Sequence, residues 1–399
     1  MFAVIALMIL PRSAASPSSN AGGWQQHAVF RGVLEATSLV ESSGVCSLPG
    51  CSIPMDRFMP VLLRAMSRGY VKDSVGKYML DGLTNGFTLG VSRAALVGHM
   101  GRRYFRNYPP AFKFRNAITD ALLARVGKHK TLRLGLWSKV KPALESVDDC
   151  ALFPMGCVPK PHDPKVMRPT SDHTKSGWNA HTVMGILGHT LDTFKRVSWL
   201  LKKNMFMYVS DVEDAFMIIP LASWVWWFFM CRGFASYQDR EESVFMHLFA
   251  DFGSRGMPGT FKLFLVDVVI QMAMSEFVLT LPVVVHVDDL ACFHDDETAL
   301  NEEMRLFQVW STLVCGVGWK LSKDKKAALL QLFCGFWWDS RDLTLRLMEE
   351  KLAIYLDFFR EAAQAPVLTL VARQSLAGRA QRALHTFPKG GACLLTVIY

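Results

Sequence analysis

The nine cysteines include no Cys-x-x-Cys pair, and none of the eleven histidines falls at zinc-finger spacing. This excludes a zinc ribbon or finger and offers no disulfide framework, so a reducing setting inside the cell, cytoplasm or nucleus, is expected. Two apolar runs, residues 1–10 (MFAVIALMIL) and 224–231 (WVWWFFMC), are both too short to cross a bilayer. Small residues follow the first run as in a signal peptide, but no basic residue precedes it, so a frayed start is expected rather than secretion. Internal repeats and low-complexity tracts are absent. Acidic side chains are scarce in one place. Between positions 57 and 141, seventeen Lys or Arg meet only three Asp, so with +9 overall the rest of the chain is slightly acidic. A basic block beside such a body suits a polyanionic partner, although a solvated basic face has the same composition.

What is present describes a folded protein. The 399 residues are 51% hydrophobic and 20% charged, enough for two or three subdomains around a substantial core. Residues 16–23 read as a linker, and 56–130 as mostly helical. Residues 157–179, rich in Pro, Lys and turn formers, are expected to be extended and exposed. A short strand over 204–209 leads to Asp211, a buried strand is expected over 224–234, and Pro258 opens an apolar helix over about 260–278. A β-rich run over 278–287 ends at Asp288-Asp289, and Leu290 to Phe293 returns as a strand, so the aspartate pair sits at a hairpin tip. Apolar spacing gives a helix over 298–315 that Gly316 ends, and two more helices follow at about 347–364 and 368–386, with Pro366 and Pro388 as stops. This order of strand, helix, hairpin and helix gives an α+β fold, an antiparallel sheet backed by helices.

An Asp ending one strand, beside an Asp-Asp turn on its neighbour, gathers the hard oxygen donors that Mg²⁺ prefers. Nucleotidyl transfer needs such a cluster, because positioning and charge neutralisation do most of the work on an anionic phosphorus. Singly, each signal is weak, since an Asp-Asp turn is usually only a turn. Order and flanks decide.

YVSDVEDAFMIIPL (208–221) resembles the first catalytic motif of retroelement reverse transcriptases, and FGSRGMPGTF (252–261) their second. VHVDDL (285–290) is similar to their Tyr-x-Asp-Asp box, WKLSKDK (319–325) to the Lys-containing motif after it, and FCGFWWDS (333–340) to the primer grip. VPKPHDPKVMRPTSDHT (158–174) resembles the fingertip segment upstream. These motifs run in the family's order across about 155–345.

The resemblance implies a right-hand polymerase fold of fingers, palm and thumb. It divides the chain into an apolar start and linker (1–23), a basic, mostly helical region (24–145), fingers (146–205), palm (206–345), and thumb with the start of a connector (346–399). It implies that Asp211, Asp288 and Asp289, with the backbone carbonyl of Val212, hold two Mg²⁺ ions, Mn²⁺ being a substitute. Lys160 and Arg168 would clamp the triphosphate; Phe216 would stack under the sugar and exclude a ribose 2′-hydroxyl, its competing role being a core aromatic. Gly253, Gly256 and Pro258 would shape the approach to nucleotide or template. Lys325 would protonate the leaving pyrophosphate, with Lys323 a competitor, and His286, Phe333 and Gly335 would touch the primer. His286 departs from the family's Tyr, which puts primer handling in doubt.

Implied partners are an RNA template, a DNA primer, their RNA–DNA hybrid and deoxynucleoside triphosphates, without stable membrane association. KYMLDGLTNGFTLGV (77–91) faintly resembles the region before the polymerase in DIRS-like tyrosine-recombinase retrotransposons. No ribonuclease H cluster and no protease or integrase motif is found, so a fragment or degenerate copy is expected. Two readings compete with the polymerase: an inactive relic that binds nucleic acid, and a membrane protein anchored by residues 1–10.

Overall fold

The computed structural model describes residues 24–160, 163–188 and 193–383. The apolar start and the chain after position 383, including Pro388, lie outside the described residues. Strands β1 (Arg102–Tyr104), β2 (Thr131–Leu136) and β3 (Cys150–Leu152) precede a hairpin of β4 (Met155–Lys160) and β5 (Asp163–Ser171). Then come β6 (Phe206–Asp211), β7 (Met230–Gly233) and β8 (Ser243–His247). A second hairpin, β9 (Val283–His286) and β10 (Asp289–His294), is followed by β11 (Lys325–Ala328). A meander of β12 (Leu330–Phe333), β13 (Phe336–Asp339) and β14 (Thr344–Leu347) completes the strands.

Two sheets organise the molecule. One has the order β11-β6-β10-β9 and is antiparallel throughout. Its middle strand β6 is buried along Met207–Ser210, as a strand covered on both faces must be, and FMYVSD supplies the β-branched and aromatic residues that suit it. Helix Glu297–Cys315 backs this sheet. The Asp296 side chain caps its first turn through the Ala299 amide at 2.9 Å, and Gly316 ends it in the left-handed region. The other sheet, β1-β3-β7-β8-β2, is mixed, with its β1, β3 and β7 parallel and the rest antiparallel. It draws strands from both sides of position 145.

Helix Met257–Ser275, with a π-helical middle at Leu263–Ile270, packs against helices Met55–Ser67, Asp73–Asn85 and Glu297–Cys315. It is the one described helix long and apolar enough to cross a membrane; 67% of it is buried, which makes it the core helix of the fold.

Three expectations need correction. Residues 225–228 form a 3₁₀ turn rather than part of a strand, and β7 begins only at Met230. Val225, Trp226 and Phe228 are buried, and a run apolar on all sides carries no period that separates strand from turn. The run expected over 278–287 is strand only from Val283, because Pro282, which lacks an amide donor, precedes it. Finally, His173, Ser176 and Trp178 turn into the core, so residues 157–179 are not exposed throughout.

Candidate active site

The register of the antiparallel sheet builds the site. Asp289, the first residue of β10, lies directly opposite Asp211, the last of β6. Asp288 occupies the two-residue turn before β10, and its carbonyl accepts from the Val212 amide at 3.0 Å. Three aspartates from two distant motifs therefore meet at one end of the sheet. Within that turn Val287 has φ of 60°, as at the first central position of the II′ turns that tighten hairpins. A β-branched residue is strained there by about 1–3 kcal/mol, and such strain is held where neighbours over-determine the backbone.

The electrostatics follow from crowding. Burial first, and then the neighbouring Asp288 and Asp211, raise the Asp289 carboxyl to about 6. Asp288 is raised too, by burial first and then by Asp211. Asp211 goes the other way: burial works to raise it, but Lys320 and Lys323 hold it below the ordinary carboxylate value. Lys320 Nζ donates to its Oδ1 at 2.8 Å and Lys323 Nζ to its Oδ2 at 2.7 Å.

Among the described residues no three His, Cys, Asp or Glu side chains converge closely enough to hold an ion in this arrangement, since Asp211 is turned to its lysines. In kind the donors do fit a hard divalent cation: three crowded carboxylates, two of them disfavoured as anions until positive charge arrives. The carbonyl of Val212 would be the fourth donor. The local β-bridge to Trp319 leaves it aside, using the Asp211 carbonyl and the Glu213 amide instead.

A cleft of about 800 Å³ opens over the aspartates, and its walls include Arg168, Phe252, Lys323, Lys325, Phe333 and Gly335. Arg168 sits in the β4–β5 hairpin opposite Val158; Lys160, exposed at the hairpin's far end, is not on the cleft wall. Phe216 is 4% exposed, with Phe252 at 4.5 Å and Phe261 at 5.6 Å between ring centroids. Phe252, 46% exposed, is the ring that faces the cleft. Lys325 lines the cleft, but its ammonium donates to the Leu332 carbonyl at 2.6 Å and burial lowers its pKa.

His286 pairs with Asp289 across the hairpin and shares a 2.8 Å hydrogen bond with Thr193 Oγ1; burial lowers its pKa, and Arg382 adds to this. Phe333 is buried, and Cys334 and Gly335 both have positive φ, as the I′ turn between β12 and β13 requires. Pro258 sits in the first turn of its helix, where its missing amide costs nothing.

The glycines meet a different partner from the one expected. A Cβ on Gly253 would lie 2.1 Å from the Ser171 carbonyl oxygen, and one on Gly256 would lie 2.0 Å from that of Leu89. Both admit the chain's own backbone; neither contact involves a space for nucleotide or template. For Gly253 the φ of 103° is a second reason.

Sequence reasoning missed Lys320, whose signal was its alternation with Ser322 and Asp324 in WKLSKDK. It also missed a buried polar network behind the site. The Asp324 carboxylate accepts from Tyr208 at 3.0 Å, Ser210 at 2.6 Å and Gln308 at 2.9 Å, which pins the strand just before Asp211. The second aspartate of DVEDAF, Asp214, has a left-handed φ of 48° and an ion pair with Lys128 at 2.5 Å.

No family model matches the sequence, and no curated protein matches it. Solved structures do. The foamy viral protease-reverse transcriptase in complex with RNA/DNA hybrid is similar at TM-score 0.52 and 15% identity, over 87% of this chain and 43% of that one. A foamy viral protease-reverse transcriptase dRH form in complex with double-stranded DNA gives TM-score 0.52 and 16% identity, over 83% and 52%. Another double-stranded DNA complex of the foamy viral enzyme gives 0.51 and 14%, over 83% and 62%. This chain thus spans roughly half of each neighbour, and the fold is reverse-transcriptase-like.

Proposed function

We propose that this chain is the polymerase part of a retroelement reverse transcriptase, of the DIRS-like group, that extends a DNA primer on an RNA template. The observation that carries the reading is the register of Asp289 against Asp211, with Asp288 in the adjoining turn, at the floor of a cleft within a reverse-transcriptase-like fold. In this reading the four-stranded sheet is the palm, the β4–β5 hairpin belongs to the fingers, and the helices after position 348 form the thumb.

Asp211, Asp288, Asp289 and the Val212 carbonyl would hold two Mg²⁺ ions, with Mn²⁺ as substitute. Bound there, the ions neutralise phosphate charge and stabilise the attacking and leaving oxygens of an in-line displacement. The chain's own side chains do the rest. Arg168 presents a planar fork to the triphosphate and Lys160 a point charge from the hairpin end. Phe216, through the tilted ring of Phe252 packed against it, limits the space beside the sugar and so favours deoxynucleotides. Lys323 or Lys325 supplies a proton to the departing pyrophosphate. His286, Phe333 and Gly335 border the primer end, and the basic helices grip the hybrid through phosphates, with an affinity that falls as salt rises.

The test is extension of a DNA primer on a poly-A template by purified protein across a Mg²⁺ series. Wild type extends and Asp288→Asn does not; equal extension by both rejects the site. One observation favours the inactive nucleic-acid binder as a second reading: both Asp211 oxygens are already engaged by lysines. Hybrid binding without incorporation at any Mg²⁺ or Mn²⁺ concentration would establish it.

A further inference from the structure

Behind the cleft lies a second cluster of buried charge that the proposed chemistry leaves unused. Asp251, immediately before the cleft residue Phe252, is 1% exposed. Its Oδ1 accepts from His173 Nε2 at 2.7 Å and its Oδ2 from Ser171 Oγ at 2.6 Å, while the Arg125 guanidinium stands 3.7 Å from Oδ2. Ser171 ends β5, the strand that carries Arg168, and His173 follows two residues later. One carboxylate therefore binds two points on the chain leaving the fingers hairpin.

The joint has little slack. His173 is fully buried between Phe153 and Phe229, each ring centroid 4.4 Å away, and its Nδ1 has no hydrogen-bond partner among the described residues. Asp251 is thus its polar anchor. On the same seam Asn179 donates to the Gly253 carbonyl at 2.9 Å and accepts from the Arg255 amide at 2.8 Å. The Ser171 carbonyl fills the space where a Cβ of Gly253 would stand. Burial alone would raise the Asp251 carboxyl, yet His173 and Arg125 hold it well below the ordinary value. It is a committed anion, and bonds to an ionised acceptor are roughly twice as strong as neutral ones.

We propose that Asp251 is a positioning residue, a latch that fixes the β4–β5 hairpin and its Arg168 against the turn that carries Phe252. It touches neither substrate nor metal. Its catalytic consequence rests on the polymerase reading: a loosened hairpin presents Arg168 to the triphosphate less often, so nucleotide KM rises while kcat holds. The latch itself does not depend on that reading.

Three variants separate this role from simple core stability. Ser171→Ala removes one latch bond and no charge; Asp251→Asn keeps the volume and removes the charge; Arg125→Gln removes the 3.7 Å ion pair and keeps both bonds from Asp251 to Ser171 and His173. Backbone amide hydrogen exchange is measured by mass spectrometry on each, beside steady-state incorporation of one deoxynucleotide. In Ser171→Ala and Asp251→Asn, exchange over 155–171 speeds up by roughly tenfold or more, with the four-stranded sheet unchanged, and nucleotide KM rises by roughly tenfold with kcat within about threefold. Arg125→Gln leaves exchange over 155–171 as in wild type. Wild-type exchange there in folded Ser171→Ala overturns the latch, as does a uniform rise across the whole protein. If wild type incorporates no nucleotide the polymerase reading fails, and exchange alone still decides the latch.

Discussion

His247 gives the protein a calculable weakness in mild acid. It is 2% exposed in β8, and burial, with help from Arg125, lowers its pKa from 6.5 to about 3. Its ring nitrogens face Thr131 Oγ1 and the Arg125 guanidinium, both at 3.3 Å, and Cys231 Sγ at 3.5 Å, none of them a carboxylate that would welcome a proton. The unfolded chain takes up that proton near pH 6.5, but the folded chain does not until about pH 3. Between these values the unfolded state binds more protons, so stability rises with pH and is lost as pH falls. At about pH 5 the gap is about 1.5 pH units below the unfolded value, which at 1.36 kcal/mol per unit is about 2 kcal/mol lost relative to about pH 7.5. Against a total of about 5–15 kcal/mol this is a large share.

Urea unfolding at a series of pH values measures it. His286 is also lowered and contributes in the same sense, so wild type is compared with His247→Gln, which lacks only the one titration. The variant is less stable near neutrality, but its pH dependence from about 7.5 to 5 is shallower by about 2 kcal/mol. Parallel pH curves for the two proteins would refute the reasoning. Acid weakens the same corner from which Asp251 latches the hairpin, since Arg125 touches both His247 and Asp251.

Other outcomes follow from contacts at the site. Gly256→Ala sets a methyl against the Leu89 carbonyl, a backbone atom that cannot step aside, and destabilises by about 3 kcal/mol in urea unfolding. Gly378→Ala, in open space within helix Leu370–Ala383, stabilises by about 0.5–1 kcal/mol in the same assay. Phe216→Val lets the Phe252 ring settle inward and admits ribonucleotides; an unchanged ratio of deoxy- to ribonucleotide incorporation would show that the gate lies elsewhere. Arg168→Lys loses the planar fork and raises nucleotide KM by roughly tenfold, read from steady-state incorporation.

How legible was this in the sequence? The half that carries the candidate site was readable because its signals are local. A strand period ending in Asp211, an Asp-Asp pair between two apolar strands, and an acidic N-cap with a Gly C-cap around 297–315 each follow from a few neighbouring residues. Their pairing came only from the order of motifs, yet the structure joins Asp211 to Asp289 as that order implied.

Long-range partners stayed hidden. Thr131–Leu136 alternates as a strand should, but its place beside β8, more than a hundred residues on, leaves no trace in the window that contains it. Nothing in the residues near Asp251 announces Ser171 or His173 as its partners. Gly253 and Gly256 were recognised as points of close approach, while the approaching atoms belong to Ser171 and Leu89, chosen by tertiary packing. Lys320 read as one basic residue among several until the fold set it 2.8 Å from Asp211.

The most direct test of the central claim is a single-turnover assay in which one deoxynucleotide is added to a DNA primer on RNA in excess Mg²⁺, with wild type beside Asp211→Asn. The account predicts incorporation by wild type and a loss of at least about a thousandfold in the variant. Incorporation by Asp211→Asn at the wild-type rate would contradict it.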